Sequence, residues 1–203
     1  MSPTVDKNGI GVRQVMVASD SNNSKSTNSQ AFGYITFVEI PNHGFVGGFL
    51  IVNTRARPLE FHCTAPVVPN RAQEILYGRT FRSALLCDQI GQALLKQSMR
   101  KPCILLTDEA DALDLRKMNG IPVALFVDEQ AATQESNDND SSITSRSQWT
   151  FEMAGCSLTT SNAFEDDRSK VREALRQIEP GWELMEPLER IRAAIREARQ
   201  AAA

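Results

Sequence analysis

Residues 32–52 read FGYITFVEIPNHGFVGGFLIV, and the fold is decided there. Phe32 to Ile40 and Phe45 to Val52 are runs of β-branched and aromatic residues, which suit a pleated surface packed on its neighbours. Pro41-Asn42-His43-Gly44 between them has the length and composition that close a hairpin. In the second run Phe45, Phe49 and Ile51 share one face and Val46, Leu50 and Val52 the other, because successive side chains of a strand point to opposite sides. Both faces are apolar, so this strand belongs at the centre of a sheet covered on both sides. Gly47 and Gly48 within it mark a bulge or the close approach of another backbone, since no helix N-terminus follows to aim a dipole at a phosphate.

Downstream, Arg57 to Ala65 alternates differently, with Leu59, Phe61 and Cys63 on one face and Glu60, His62 and Thr64 on the other. The expectation is a third strand whose polar face looks outward. Asn70 followed by Gln73 is a capping-box arrangement for a short helix that Gly78 stops, and Phe81, Leu85, Leu86, Ile90, Ala93 and Leu94 keep helical spacing from about Thr80 to Gln97. Cys103 to Leu106 and Ile121 to Val127 are apolar strands separated by a helix over Glu109 to Met118, the pattern of a βαβ crossover with parallel pairing. At the C-terminal end Val171, Ala174, Leu175 and Ile178 form one helix face, closed by Pro180-Gly181. Leu184, Leu188, Ile191, Ile195 and Ala198 form another, in a helix that Pro187 opens. The fold expected is α/β or α+β: a mixed sheet with an N-terminal antiparallel hairpin, a βαβ-like unit and covering helices.

The chain has 203 residues, enough to bury a sizeable core as one domain. Residues 18–30 (ASDSNNSKSTNSQ, with Ala18 first) are nearly free of apolar groups, which predicts a disordered tail over residues 1–30. Residues 130–148 have the same composition but are followed by Trp149 to Met153, an alternating strand too short to stand alone. That polar stretch is therefore expected to be a long loop inside a single domain covering 31–203, with two helices after it. No internal repeat is present.

Charged residues make up 23% and the net charge is −3, which gives no sign of a nucleic-acid coat or a polybasic membrane binder. No stretch approaches eighteen consecutive apolar residues, and no leader-like apolar segment opens the chain. Cysteines at 63, 87, 103 and 156 form no CxxC pair, so they are expected as buried thiols in a reducing, cytoplasmic setting and not as a disulfide framework or zinc site.

Four features have chemical capacity. The strand-and-turn CILLTDEAD (103–111) resembles the magnesium-binding element of an ATPase, but no GxxxxGK[ST] phosphate cradle accompanies it. Helix capping by Thr107 or Asp108, with carboxylates favoured near the helix N-terminus, accounts for it instead. Glu60 and His62, two apart on one strand face, are candidate catalytic residues, since an imidazole beside a carboxylate can act as a general base or bind a metal supported by Asp88 or Asp108. Charge is uneven: residues 53–101 hold eight basic and three acidic side chains, and residues 102–148 three and nine. Arg55, Arg57, Arg71, Arg79 and Arg82 in the basic block are candidate ligand-binding residues, because guanidinium forks fit carboxylate and phosphate. Finally, Arg168, Arg172 and Arg176, with Arg192, Arg196 and Arg199, make two stripes interrupted by acids and read as solvated helix faces.

Two functions follow. The first is a soluble intracellular binding or protein-interaction domain whose Arg-rich surface meets an anionic small molecule or an acidic protein partner. The second is a small hydrolase using Glu60 and His62, with or without a metal. The absence of a nucleophile motif, a cofactor fingerprint or a metal-ligand spacing favours the first.

Overall fold

In a computed structural model, which describes residues 4–5, 11–17, 30–127 and 148–200, the chain forms a nine-stranded mixed sheet with helices on both faces. The strands are β1 (Thr4–Val5), β2 (Gly11–Val17), β3 (Phe32–Ile40), β4 (Gly44–Val52), β5 (Pro58–Thr64), β6 (Ile104–Thr107), β7 (Val123–Val127), β8 (Gln148–Met153) and β9 (Cys156–Ser161). Their order across the sheet is β1-β2-β5-β4-β3-β6-β7-β9-β8. Parallel pairing is confined to β3 with β6 and β6 with β7, and β6 is buried along its whole length, as strands covered on both faces must be. The α/β class and the β3–β4 hairpin therefore match the sequence pattern, with every residue from Phe32 to Ile40 paired to β4.

Alternation along β4 divides the core in two. Val46, Leu50 and Val52 join Phe32, Tyr34, Phe61 and Cys63 under two C-terminal helices, α5 (Asp167–Leu175) and α6 (Glu186–Gln200). Phe49 and Ile51 join Ile35 and Leu105 on the opposite face. That face is covered by a composite helix made of α2 (Phe81–Ser83), a π-helical segment Ala84–Gly91 and α3 (Gln92–Gln97), and then by a 3-10 turn Ala110–Asp114 and α4 (Leu115–Asn119). Helix α6 buries Leu188, Ile191 and Ile195, spaced three and four apart, against the sheet. Gly47 and Gly48 are what allow the two helix layers to come close. A Cβ at Gly47 would lie 2.2 Å from Ile90 Cγ2, and one at Gly48 would lie 2.2 Å from Ile191 Cγ2 on the other face. The approach is by helix side chains, not by another backbone.

Several local expectations are corrected. Residues 1–30 are not all tail: β2 pairs antiparallel with β5 and carries β1 at the sheet edge, and Val12 is buried in the second core cluster. The Ser/Asn-rich composition that suggested the tail belongs to residues 18–30, of which 18–29 lie outside the described residues, as do 130–147 of the expected loop. The strand after that loop is real, and Gln148 is already its first residue. Asn70 caps α1 (Arg71–Tyr77), its Oδ1 accepting from Ala72 N at 2.9 Å, and Gly78 ends it at φ 51°. Thr107 Oγ1, not Asp108, accepts the free Glu109 N–H, at 3.1 Å. Asp108 instead forms an ion pair with Arg192 of α6, while Glu109 and Asp111 both pair with Arg82. The DEAD carboxylates are thus spent on tying loop to helices.

The C-terminal basic stripes are not simply solvated either. Arg168 and Arg172 each lie 5.8 Å over the Phe151 ring, and Asp167, 1% exposed, receives two hydrogen bonds from Arg116.

Candidate functional site

Glu60 and His62 sit on β5 beneath the end of α3, opposite Ile51 and Phe49 of β4. The polar face of β5 does not look outward: Glu60 and His62 are each 1% exposed and Thr64 5%. The second helix layer covers the face that alternation alone left open. Leu59 also departs from the expected face. A register shift opposite Ile51 and Val52 moves it into the second cluster, whereas Phe61 and Cys63 stay in the first.

Glu60 Oε2 accepts from His62 Nε2 at 3.2 Å, Ser98 Oγ at 2.9 Å and Met99 N at 3.1 Å, and Arg100 Nε lies 3.8 Å from Oε1. The carboxylate is the hub, with hydroxyl, imidazole and backbone amide all donating to it. A nucleophilic serine needs the imidazole next to its own hydroxyl, and here the carboxylate stands between them. The arrangement pins the loop between α3 and β6 onto β5. A cavity of about 260 Å³ outside that loop is lined by Ser98, Met99, Arg100 and Lys101 but by neither Glu60 nor His62.

The acids proposed to assist them are elsewhere. Asp88 is exposed on the π-helical segment. Asp108 follows β6, three strands from β5, a displacement of about 14 Å at ordinary strand spacing. Among the described residues no three His, Cys, Asp or Glu side chains are grouped to hold a metal ion.

The five arginines do not form one surface. Arg55 and Arg57 lie in the turn after β4, where Arg55 pairs with Glu179 at 2.7 Å. Arg82 lies 5.7 Å over the Phe45 ring, near the start of β4 and about 23 Å away along the strand. Arg71 pairs with Glu74 on α1, and Arg79 is exposed beyond it.

A different set of residues converges. A cavity of about 510 Å³ opens between β2, the end of β5, the hairpin turn and the last turn of α6. Val46, Cys63, Pro66, Ile195 and Ala198 give it apolar walls, and Arg13, His43, Thr64 and Arg199 supply polar groups. Arg13 and Arg199 are exposed, come from opposite ends of the chain, and form no ion pair with a carboxylate among the described residues. Arg199 in the final turn of α6 is also where a helix dipole favours a cation, a reason that does not extend to Arg13 on a strand. His43 Nδ1 donates to Pro41 O at 2.9 Å, which leaves Nε2 for a ligand. Thr64 Oγ1 accepts from Gly47 N at 3.0 Å and keeps its own proton to donate.

Cys63 lies on the cavity wall with its thiolate form disfavoured. Burial raises its thiol pKa and the Arg13 guanidinium only partly offsets this, so the thiolate is scarce at neutral pH. Cys87, Cys103 and Cys156 are raised by burial as well, Cys87 to about 12. Alkylation of Cys63 by iodoacetamide is expected to be slow, to accelerate as pH rises, and to be suppressed by any ligand filling the cavity. Rapid stoichiometric modification at neutral pH would contradict this environment.

Sequence reasoning missed these residues for identifiable reasons. Arg13 fell in the presumed tail, and Arg199 in a stripe assigned to solvent. One signal was present: Arg199 follows Ile195 by four positions, so it extends the buried face of the last helix rather than its outer one.

No protein-family model matches the chain, and no curated protein is similar to it at a significant level. Among the described residues no helix is long and apolar enough to cross a membrane.

Proposed function

We propose that the chain is a non-catalytic binding domain that holds an anionic ligand with an apolar body in the cavity between β2, β5 and α6. One observation carries this reading: two guanidinium groups, brought together from positions 13 and 199, stand at an apolar cavity without a carboxylate of the described chain to neutralise them. Guanidinium favours carboxylate, sulfonate and phosphate oxygens, and the cavity volume falls within the range of about 300–1,000 Å³ typical of small-molecule sites. The anionic ligand expected of an Arg-rich surface is thus assigned to Arg13 and Arg199 rather than to the arginines between 55 and 82. Four free thiols support placing the domain in a reducing, cytoplasmic setting. The hydrolase reading is weaker, because Glu60 and His62 are enclosed and the hydroxyl beside them donates to the carboxylate.

The test is a fluorescence titration with anilinonaphthalene sulfonate, an anion with an apolar body. Arg13→Gln and Arg199→Gln are each expected to weaken binding by about tenfold or more, since a hydrogen bond to a charged group contributes about 1.5–3 kcal/mol. Equal affinity for the wild type and both variants would overturn the assignment.

A further inference from the structure

Strand β2 lies one step from the edge of the sheet, and beyond it stands only the two-residue β1. Its backbone pairs with β5 from Val12 to Val17, and a register shift between Gln14 and Met16 interrupts that ladder. The two faces of β2 are covered unequally. Val12 is buried in the second core cluster, whereas Gly11 and Arg13 alternate to the opposite face and line the cavity beneath α6. On that opposite face the neighbouring strands bury Val46, Phe61 and Cys63 under the C-terminal helices, but β2 borders the cavity of about 510 Å³ instead. An element paired along one edge, with few buried apolar contacts, opens locally at a lower free energy than central strands do.

We infer that the ligand of this cavity is the fastener of β2: by joining Arg13 on β2 to Arg199 on α6 across the apolar walls, it locks the strand against β5, so that occupancy of the cavity controls whether β2 is docked or released. The inference rests on the anionic ligand proposed above and assigns that site its regulatory consequence. A ligand shifts an equilibrium only as far as its affinities for the two states differ. Here they differ, because the released state keeps Arg199, Ile195 and Ala198 on α6 but loses Gly11 and Arg13, and with them one guanidinium and one side of the cavity. Docking is then strengthened by a factor of 1 + [ligand]/Kd, about 100 when the ligand is present at about one hundred times its Kd. Release uncovers the hydrogen-bonding edge of β5, which docking hides.

Amide hydrogen exchange on the full chain tests this, with binding of decanoate, an anion with an apolar chain, measured by calorimetry on the same samples. Without decanoate the amides of β2 are expected to exchange through local opening, faster than those of β4. With decanoate at about one hundred times its Kd they should slow about 100-fold, while those of β8, at the far edge of the sheet, keep their rates. Val12→Ala, on the face away from the cavity, should speed exchange in β2 alone, and decanoate should slow it again by the same factor. If decanoate binds while β2 keeps its rates, if β8 slows as much as β2, or if β2 without ligand exchanges as slowly as β4, the coupling is overturned and the anion site stands. If decanoate fails to bind, the reading of the cavity falls and the coupling with it.

Discussion

Gly48→Val is expected to destabilise the protein by about 3 kcal/mol, at the upper end of overpacking costs, and to lower the melting temperature by about 10 °C. The new Cβ would stand 2.2 Å from Ile191 Cγ2 and 3.0 Å from Ile195 Cδ1, and a branched side chain on a rigid central strand has nowhere to turn. Helix α6 must therefore lift from the sheet. Since α6 supplies Ile195, Ala198 and Arg199 to the cavity, the same substitution should also weaken binding there. The cause can be isolated: Ile191→Ala removes the atom in the way, so the double variant should be more stable than the sum of the two single changes implies. A Gly48→Val protein that melts like the wild type would show that the helix–sheet spacing is wrong.

His62→Ala and Glu60→Ala should each cost about 3–5 kcal/mol, as much as Phe61→Ala is expected to cost by opening a core cavity. The sequence alone pointed elsewhere, to a His62→Ala protein that folds almost normally, because strand alternation placed the imidazole outside. In the structure Glu60 accepts from Ser98, Met99 and His62 together, so its loss leaves the buried His62 Nε2 and the Met99 N–H without this acceptor, while Ser98 Oγ keeps Arg100 O at 2.7 Å. Denaturant unfolding of the three variants decides the matter. If His62→Ala retained wild-type stability, the histidine would be free to serve a reaction, and the hydrolase reading would return.

These two sites also show what a sequence discloses and what it hides. Alternation in β4 was enough to place it at the centre of a two-sided sheet, because apolar residues on both faces leave no other solution. Parallel β6 and β7 were legible for the same reason. Burial of Glu60 and His62 was not, since it depends on where α3 and the loop at Ser98 come to rest, a tertiary event with no local signal. Likewise β2 was hidden: Gly11–Val17 acquires its structure by pairing with β5, a partner more than forty residues away. The cavity draws on positions 13, 43, 63 and 199, and only the closure of the sheet beneath α6 makes them neighbours. Arginines clustered in sequence, by contrast, were dispersed along β4 and mostly neutralised by the chain's own carboxylates.

The central claim is that this cavity selects an anion with an apolar body. Calorimetric titration with decanoate, decanol and decylammonium, three ligands with the same chain and different heads, tests it most directly. Saturable binding of one decanoate per chain is expected, at least tenfold tighter than decanol, with no binding of the cation and with the preference for decanoate lost in an Arg13→Gln, Arg199→Gln double variant. Decanoate and decanol binding equally well, or decanoate failing to bind the wild type, would contradict the account.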